Sequence, residues 1–210
     1  MTTTLPDAET RRLLAHRFNA VALGRFALNT LIDHHNDEPR FDIYIDGRHL
    51  VVGTVATFAG PAIEAGAIHA RALLEFLGIR DDTATTVRER NGSRRTDDIC
   101  IEQFTGRRLT KAEALAVFPG EAREAEEALA GLFHTANKGL AHLTSAFAMG
   151  SASSVHLHLG FNLMLALMMM KFYQPLGLEP PADPFVPHPP MPRIFPAPAS
   201  SPSSPERPAI

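Results

Sequence analysis

Apolar residues in the first part of the chain recur at three- and four-residue steps. Leu14, Phe18, Val21, Leu28 and Ile32 fall on one helical stripe. The spacing predicts a helix from Asp7 or Ala8 to Leu31 or Asp33, with Asp7 as its N-cap. His34, His35, Asn36 and Pro39 close it. The period then falls to two. Phe41-Asp-Ile-Tyr-Ile45 and Arg48-His-Leu-Val-Val52 flank Asp46-Gly47, the pattern of a hairpin with a type I′ turn. A lone hairpin is marginally stable, so this one is expected to pack on the helices.

A second helix is predicted over residues 61–77. Pro61 suits the first helical position and Gly78 the residue after the last, and Ile63, Ala67, Ala70, Leu74 and Leu77 form the apolar stripe. Residues 79–110 alternate charges of both signs, among them Asp81, Asp82, Arg88, Glu89, Arg90 and Arg94. They read as a solvated insertion rather than an Arg-rich RNA-binding loop. Within them Ile99, Ile101 and Phe104 are expected to anchor a short strand or turn. A third helix spans 120–147, with Leu129, Leu132, Phe133, Ala136, Leu140, Leu143 and Phe147 on one stripe and Glu121, Glu124, Glu126 and Glu127 near its positive end. Gly150-Ser-Ala-Ser-Ser154 breaks the chain before a fourth helix over 155–174. That helix is apolar on nearly every face, which places it at the centre of a bundle. His158, Asn162 and Lys171 interrupt it. It falls short of the roughly 20 apolar residues a membrane span needs.

These elements predict an all-α, four-helix-type bundle with a small β-hairpin over residues 1–174, followed by a disordered Pro-rich tail over 175–210. The tail holds 13 of the 17 prolines, which neither helices nor central strands accommodate. Pro189-Pro-Met-Pro-Arg193 superficially fits proline-rich ligands of aromatic grooves, but a flexible extension is the expectation. Composition changes this picture little. The formal charge is −3, so no overall basic field favours nucleic acid. Arginine outnumbers lysine 17 to 3 beside 30 alanines, a bias of codon usage more than of chemistry. Cys100 stands alone, which excludes an intrachain disulfide and a Cys-based zinc site. With no secretory signal at the N-terminus, a cytoplasmic protein is expected.

Familiar sites are missing from the pattern: no P-loop, no Gly-x-Ser-x-Gly elbow, no His-Glu-x-x-His and no Glu-x-x-His. His134 and His142 are about 12 Å apart along a helix, and His156 and His158 point about 200° apart. Neither a metal nor a cofactor is expected. What remains is His134, Asn137, Lys138 and His142 on the third helix. With Ala136 at the centre of the stripe, His142 lies about 120° away and Lys138 about 160° away, on the face opposite the core. That face is either plain solvated surface or a site shared with a second subunit. Lys138 and His142 are one turn apart; a nearby cation lowers a His pKa, and neutral imidazole is a general base.

Asn137-Lys138-x-x-x-His142 on a late helix of an all-helical domain resembles the motif of HEPN domains. That family includes dimeric, metal-independent endoribonucleases of toxin and defence systems. Its motif has Arg where this chain has Lys138, and Lys lacks the bidentate phosphate contact of Arg. The resemblance implies His142 as proton mover, Lys138 as phosphate stabiliser and Asn137 as orienting group, with RNA as substrate. Ile68-His69-Ala-Arg71 through Leu77, an acidic pair, and Asn137-Lys138 with His142-Leu-Thr144 are also similar to a group of uncharacterised bacterial helical proteins. His69 is expected to be buried against a carboxylate or carbonyl, and Arg71 to pair with Glu75. The leading expectation is a non-catalytic interaction or regulatory protein that binds an unknown protein partner or forms a homodimer, without membrane association. The HEPN-like endoribonuclease is the alternative.

Overall fold

The computed structural model describes residues 4–34, 40–92, 98–139 and 154–182 together with Phe185, and only the backbone of residues 138, 139 and 154. Asp7 accepts a hydrogen bond from the Thr10 backbone N–H at 2.7 Å and opens helix α1, Ala8–Asp33. Leu14, Phe18, Val21 and Leu28 are buried as the stripe requires, but Ile32 is 41% exposed. The helix is longer than the core it packs on.

Strands β1, Arg40–Ile45, and β2, Arg48–Thr54, pair antiparallel with Ile45 opposite Arg48. Asp46 (φ 49°) and Gly47 (φ 76°) both take the positive φ of a type I′ turn. The register shifts beside Ile43 and Tyr44, which leaves Leu50 as the extra, bulged residue on β2. Among the described residues, the expected packing of this hairpin on the helices is confined to its base. Phe41 lies against Gly53 and meets the Phe58 ring at 5.8 Å. Farther out, Ile43, Tyr44, Ile45, Leu50, Val51 and Val52 are all exposed. The reason is the connection: β2 runs directly into the next helix, so the ribbon extends the end of a helical pair instead of folding back over it.

That helix, α2, spans Val55–Leu77 and begins six residues before the position Pro61 suggested. Thr54 caps it, accepting from the Thr57 N–H at 3.4 Å. Pro61 therefore lies inside the helix, on its exposed side. Gly60 makes this tolerable, because it has no β-carbon for the proline ring to strike. Gly78, with φ 99°, ends the helix as expected. Helices α1 and α2 pack antiparallel at very short range. A β-carbon added to Gly24 would lie 2.9 Å from the Gly66 α-carbon and 3.2 Å from the Phe161 ring.

Residues 79–110 are not a solvated insertion. Strands β3, Ile79–Asp81, and β4, Val87–Glu89, form a second antiparallel pair, followed by short helices α3, Glu102–Thr105, and α4, Lys111–Leu115. Ile79, Val87, Cys100, Ile101, Phe104 and Leu109 are buried, and Ile99 is half-exposed. The alternating charges neutralise one another across the segment: Arg90 with Asp98 at 3.1 Å, Arg108 with Glu102 at 2.7 Å and Arg107 with Glu113 at 2.6 Å. Pairing on the surface leaves the intervening apolar side chains free to face inward.

Helix α5, Ala122–His134, continues into a π-turn at Thr135–Gly139. Leu129, Leu132, Phe133 and Ala136 are buried; Leu140, Leu143 and Phe147 lie outside the described residues. Helix α6, Ser154–Met168, ends in a second π-turn, Met169–Tyr173. It occupies the centre of the core through Phe161, Met164, Leu167, Met168 and Phe172. Residues Val155–Tyr173 are long and apolar enough to cross a membrane by length and composition, with mean hydropathy 1.3 and 44% of the stretch buried. Packing does not stop at Pro175. Leu176 is buried, and Phe185 stacks on Phe26 of α1 at 5.3 Å. Residues 186–210 of the Pro-rich tail lie outside the described residues.

The close α1–α2 approach gives a direct test. Gly66→Ala should destabilise the protein by about 1–3 kcal/mol, because two backbones must separate. Gly131→Ala, at a helical site with open space around it, should stabilise by about 0.5–1 kcal/mol. Urea unfolding of both variants against the wild type measures the contrast.

Candidate functional site

Of the three residues in the Asn137-Lys138-His142 motif, only the side chain of Asn137 is described. It is half-buried within the π-turn Thr135–Gly139. Its Oδ1 accepts a hydrogen bond from the Arg71 guanidinium, and its Nδ2 donates to Asp81 at 3.1 Å. Arg71 in turn donates through Nε to Glu75 at 3.2 Å, the expected i,i+4 pair. Asn137 thus ties α5 to both α2 and β3. The backbone of Lys138 belongs to the π-turn, while its side chain and all of His142 lie outside the described residues. An i→i+5 turn holds more residues than an α turn. The rotation of about 100° per residue that put Lys138 and His142 opposite the core therefore does not run through this point.

His69 does not have the partner expected for it. Its Nδ1 faces the Arg17 guanidinium at 3.4 Å, and the His16 ring stands edge-on to it at 5.2 Å. Guanidinium only donates, so a hydrogen bond here requires Nδ1 as the acceptor of a neutral ring with its proton on Nε2. Burial foremost, then the charges of Arg17 and His16, holds the His69 pKa below its ordinary 6.5. Arg17, with Glu75, Arg90 and Asp98, also lines an open groove of about 270 Å³ beside α1 and α2.

His49 belongs to the ribbon, where it pairs with Asp42 at 2.8 Å and stacks on Tyr44, while two histidines serve helix contacts. His156 is 3.9 Å from Glu127 of α5, and His158 is 3.3 Å from Asn162, whose amide oxygen accepts from Arg25 of α1 at 3.4 Å. The Tyr173 hydroxyl is buried without a hydrogen-bond partner among the described residues, and burial pushes its pKa up to about 12. Among the described residues no group of three or more His, Cys, Asp or Glu side chains could hold a metal ion.

The hairpin was legible in the sequence, but its exposure was not. Its strands read as half-buried, yet six of the fourteen exposed large apolar residues described lie between Ile43 and Val52. This makes β1–β2 the densest apolar surface of the described chain. Monomeric proteins seldom expose such patches unless they bind something. The one available signal was compositional: apolar residues occupy both faces of β2, at Leu50, Val51 and Val52.

The His69 environment predicts a pH effect with a definite sign. Its folded pKa is depressed, so the unfolded chain binds more protons as pH falls below about 6.5. Its contribution to stability is complete above pH 6.5 and declines as pH drops through the window beneath. His69→Gln should lose less stability than the wild type between pH 7 and pH 5.5, measured by urea unfolding at each pH. Asn137→Ala should cost about 1–3 kcal/mol at any pH, since it strands the half-buried Arg71 and Asp81 groups. Comparison of the chain with protein-family models, with curated proteins and with solved structures returns no match.

Proposed function

We propose that this is a non-catalytic helical interaction protein that engages a protein partner through the β1–β2 ribbon. The carrying observation is the cluster of exposed apolar side chains from Ile43 to Val52 on a ribbon that, among the described residues, is anchored at its base. Two further observations support it. Asn137 is held by Arg71 and Asp81 as a structural tie. Arg90, Arg107 and Arg108 are paired with carboxylates, which leaves little of the Arg-rich segment for RNA.

A second reading, the metal-independent endoribonuclease built on Asn137, Lys138 and His142, draws on one observation. Arg71 brings a guanidinium to Asn137, the group that Lys138 itself lacks. One experiment separates the two. A photo-reactive residue in place of Tyr44 should form a covalent protein adduct in cells, while the same residue in place of the exposed Arg123 should not. Absence of an adduct at position 44 overturns the interaction reading. Cleavage of RNA by purified protein, abolished by His142→Ala, would establish the second.

A further inference from the structure

Strand β1 has one edge paired with β2 and the other open, since the sheet has two strands among the described residues. An open edge presents unpaired N–H and C=O groups, and natural sheets blunt such edges with proline, lysine or bulges. β2 is blunted by its bulge at Leu50. β1 carries no extra residue and no proline, and of its two charged side chains Asp42 is held by His49 of β2 at 2.8 Å while Arg40 stands at the strand's end. A two-stranded hairpin is also marginal by itself, whereas a wider sheet is not.

We infer that β1 pairs antiparallel with β1 of a second copy of this chain about a two-fold axis at Ile43, forming a four-stranded sheet in the order β2-β1-β1-β2. The inference rests on the reading of the ribbon as the docking element and names its partner. The register follows from the sequence of the strand. Residues paired across a two-fold axis normal to the sheet share a face, so the axis must fall on a residue rather than between two. An axis on Asp42 sets that carboxylate against itself. An axis on Tyr44 sets Asp42 against Asp46. An axis on Phe41 leaves a three-residue overlap within the strand. An axis on Ile43 places Ile43 against Ile43 and Phe41 against Ile45 on one face. On the other face it places Asp42 against Tyr44. The ladder within the strand is the five residues 41–45, and just beyond each end Arg40 of one copy lies beside the turn residue Asp46 of the other, so symmetry supplies that opposite-charge pair twice. Arg40, Asp46 and Ile43 are exposed and available for it.

An edge ladder of five residues is small, at the low end of specific interfaces of below about 1,200 Å². The dimer should therefore depend on concentration, and a covalent trap is the suitable test. Residues directly opposite across an antiparallel pair have β-carbons about 4.5–5.5 Å apart, close to disulfide range. In a Cys100→Ala background, Ile43→Cys should form a disulfide-linked dimer under mild oxidant at least tenfold faster than Val51→Cys. Val51 of the two copies would be three strand spacings apart, about 14 Å. Adding Arg40→Glu to the Ile43→Cys chain should slow trapping about tenfold, and so should adding Asp46→Lys. Mixing those two chains should restore the rate, with the mixed dimer as product, because both end pairs are then again of opposite charge.

Equal trapping of Ile43→Cys and Val51→Cys, no dimer at all, or charge variants that trap without preferring the mixed pair would each overturn the inference. The mass of the photo-adduct at position 44, which lies opposite Asp42 of the second copy in this register, separates this failure from failure of the interaction reading. Twice the chain's own mass supports the second copy. Another mass without an Ile43→Cys dimer overturns the second copy and leaves the docking role standing. No adduct overturns both.

Discussion

The contact between Gly24 and Gly66 sets the geometry on which the rest of the fold depends. Without β-carbons at these two positions, α1 and α2 approach until their backbones touch, and the Phe161 ring of α6 lies across the junction. Close-packed interiors tolerate little change in volume, so this contact fixes where the central helix can lie. Gly160, one residue before Phe161, repeats the device on the other side: a β-carbon there would be 2.8 Å from the Ala128 carbonyl oxygen of α5. Small residues thus bring α6 close to both neighbours, and its large apolar side chains fill the space that remains.

The segment between α2 and α5 shows how charge and burial cooperate. Arg108 donates to Glu102 and to the carbonyls of Arg90 and Gly92, which draws three parts of the segment together. Phe104 reaches inward to Phe76 and Phe172, with ring centroids 6.4 and 6.0 Å away. Exposed ion pairs contribute little energy individually. Their role here is directional: each satisfied guanidinium holds a stretch of backbone so that the apolar residue beside it faces the core.

The ribbon departs from this arrangement. Everywhere else large apolar side chains are mostly covered; on β1 and β2 they stand open on both faces. Asn137, by contrast, was singled out for chemistry and is bound up in structure, its amide shared between Arg71 and Asp81. The proposed docking role therefore rests on the apolar ribbon and not on the polar helix end.

Local physics was legible in the sequence. The Asp7 cap, the Asp46-Gly47 turn, the Gly78 stop and most of the described positions of the helix stripes each depend on residues within a few positions of one another, and the structure has them as read, apart from the exposed Ile32. The start of α2 was misplaced because Pro61 is a local signal that a distant condition overrode: the helix extends back to Thr54 to receive the chain from β2. The packed state of residues 79–110, the Arg17 partner of His69 and the Arg71–Asn137–Asp81 link join residues 52 to 66 positions apart or depend on mutual burial. No periodicity records such contacts, because they arise only when helices dock. The same holds for the open ribbon. Alternation of apolar and polar residues specifies that a strand has faces; which face finds a partner is decided by where the helices leave room.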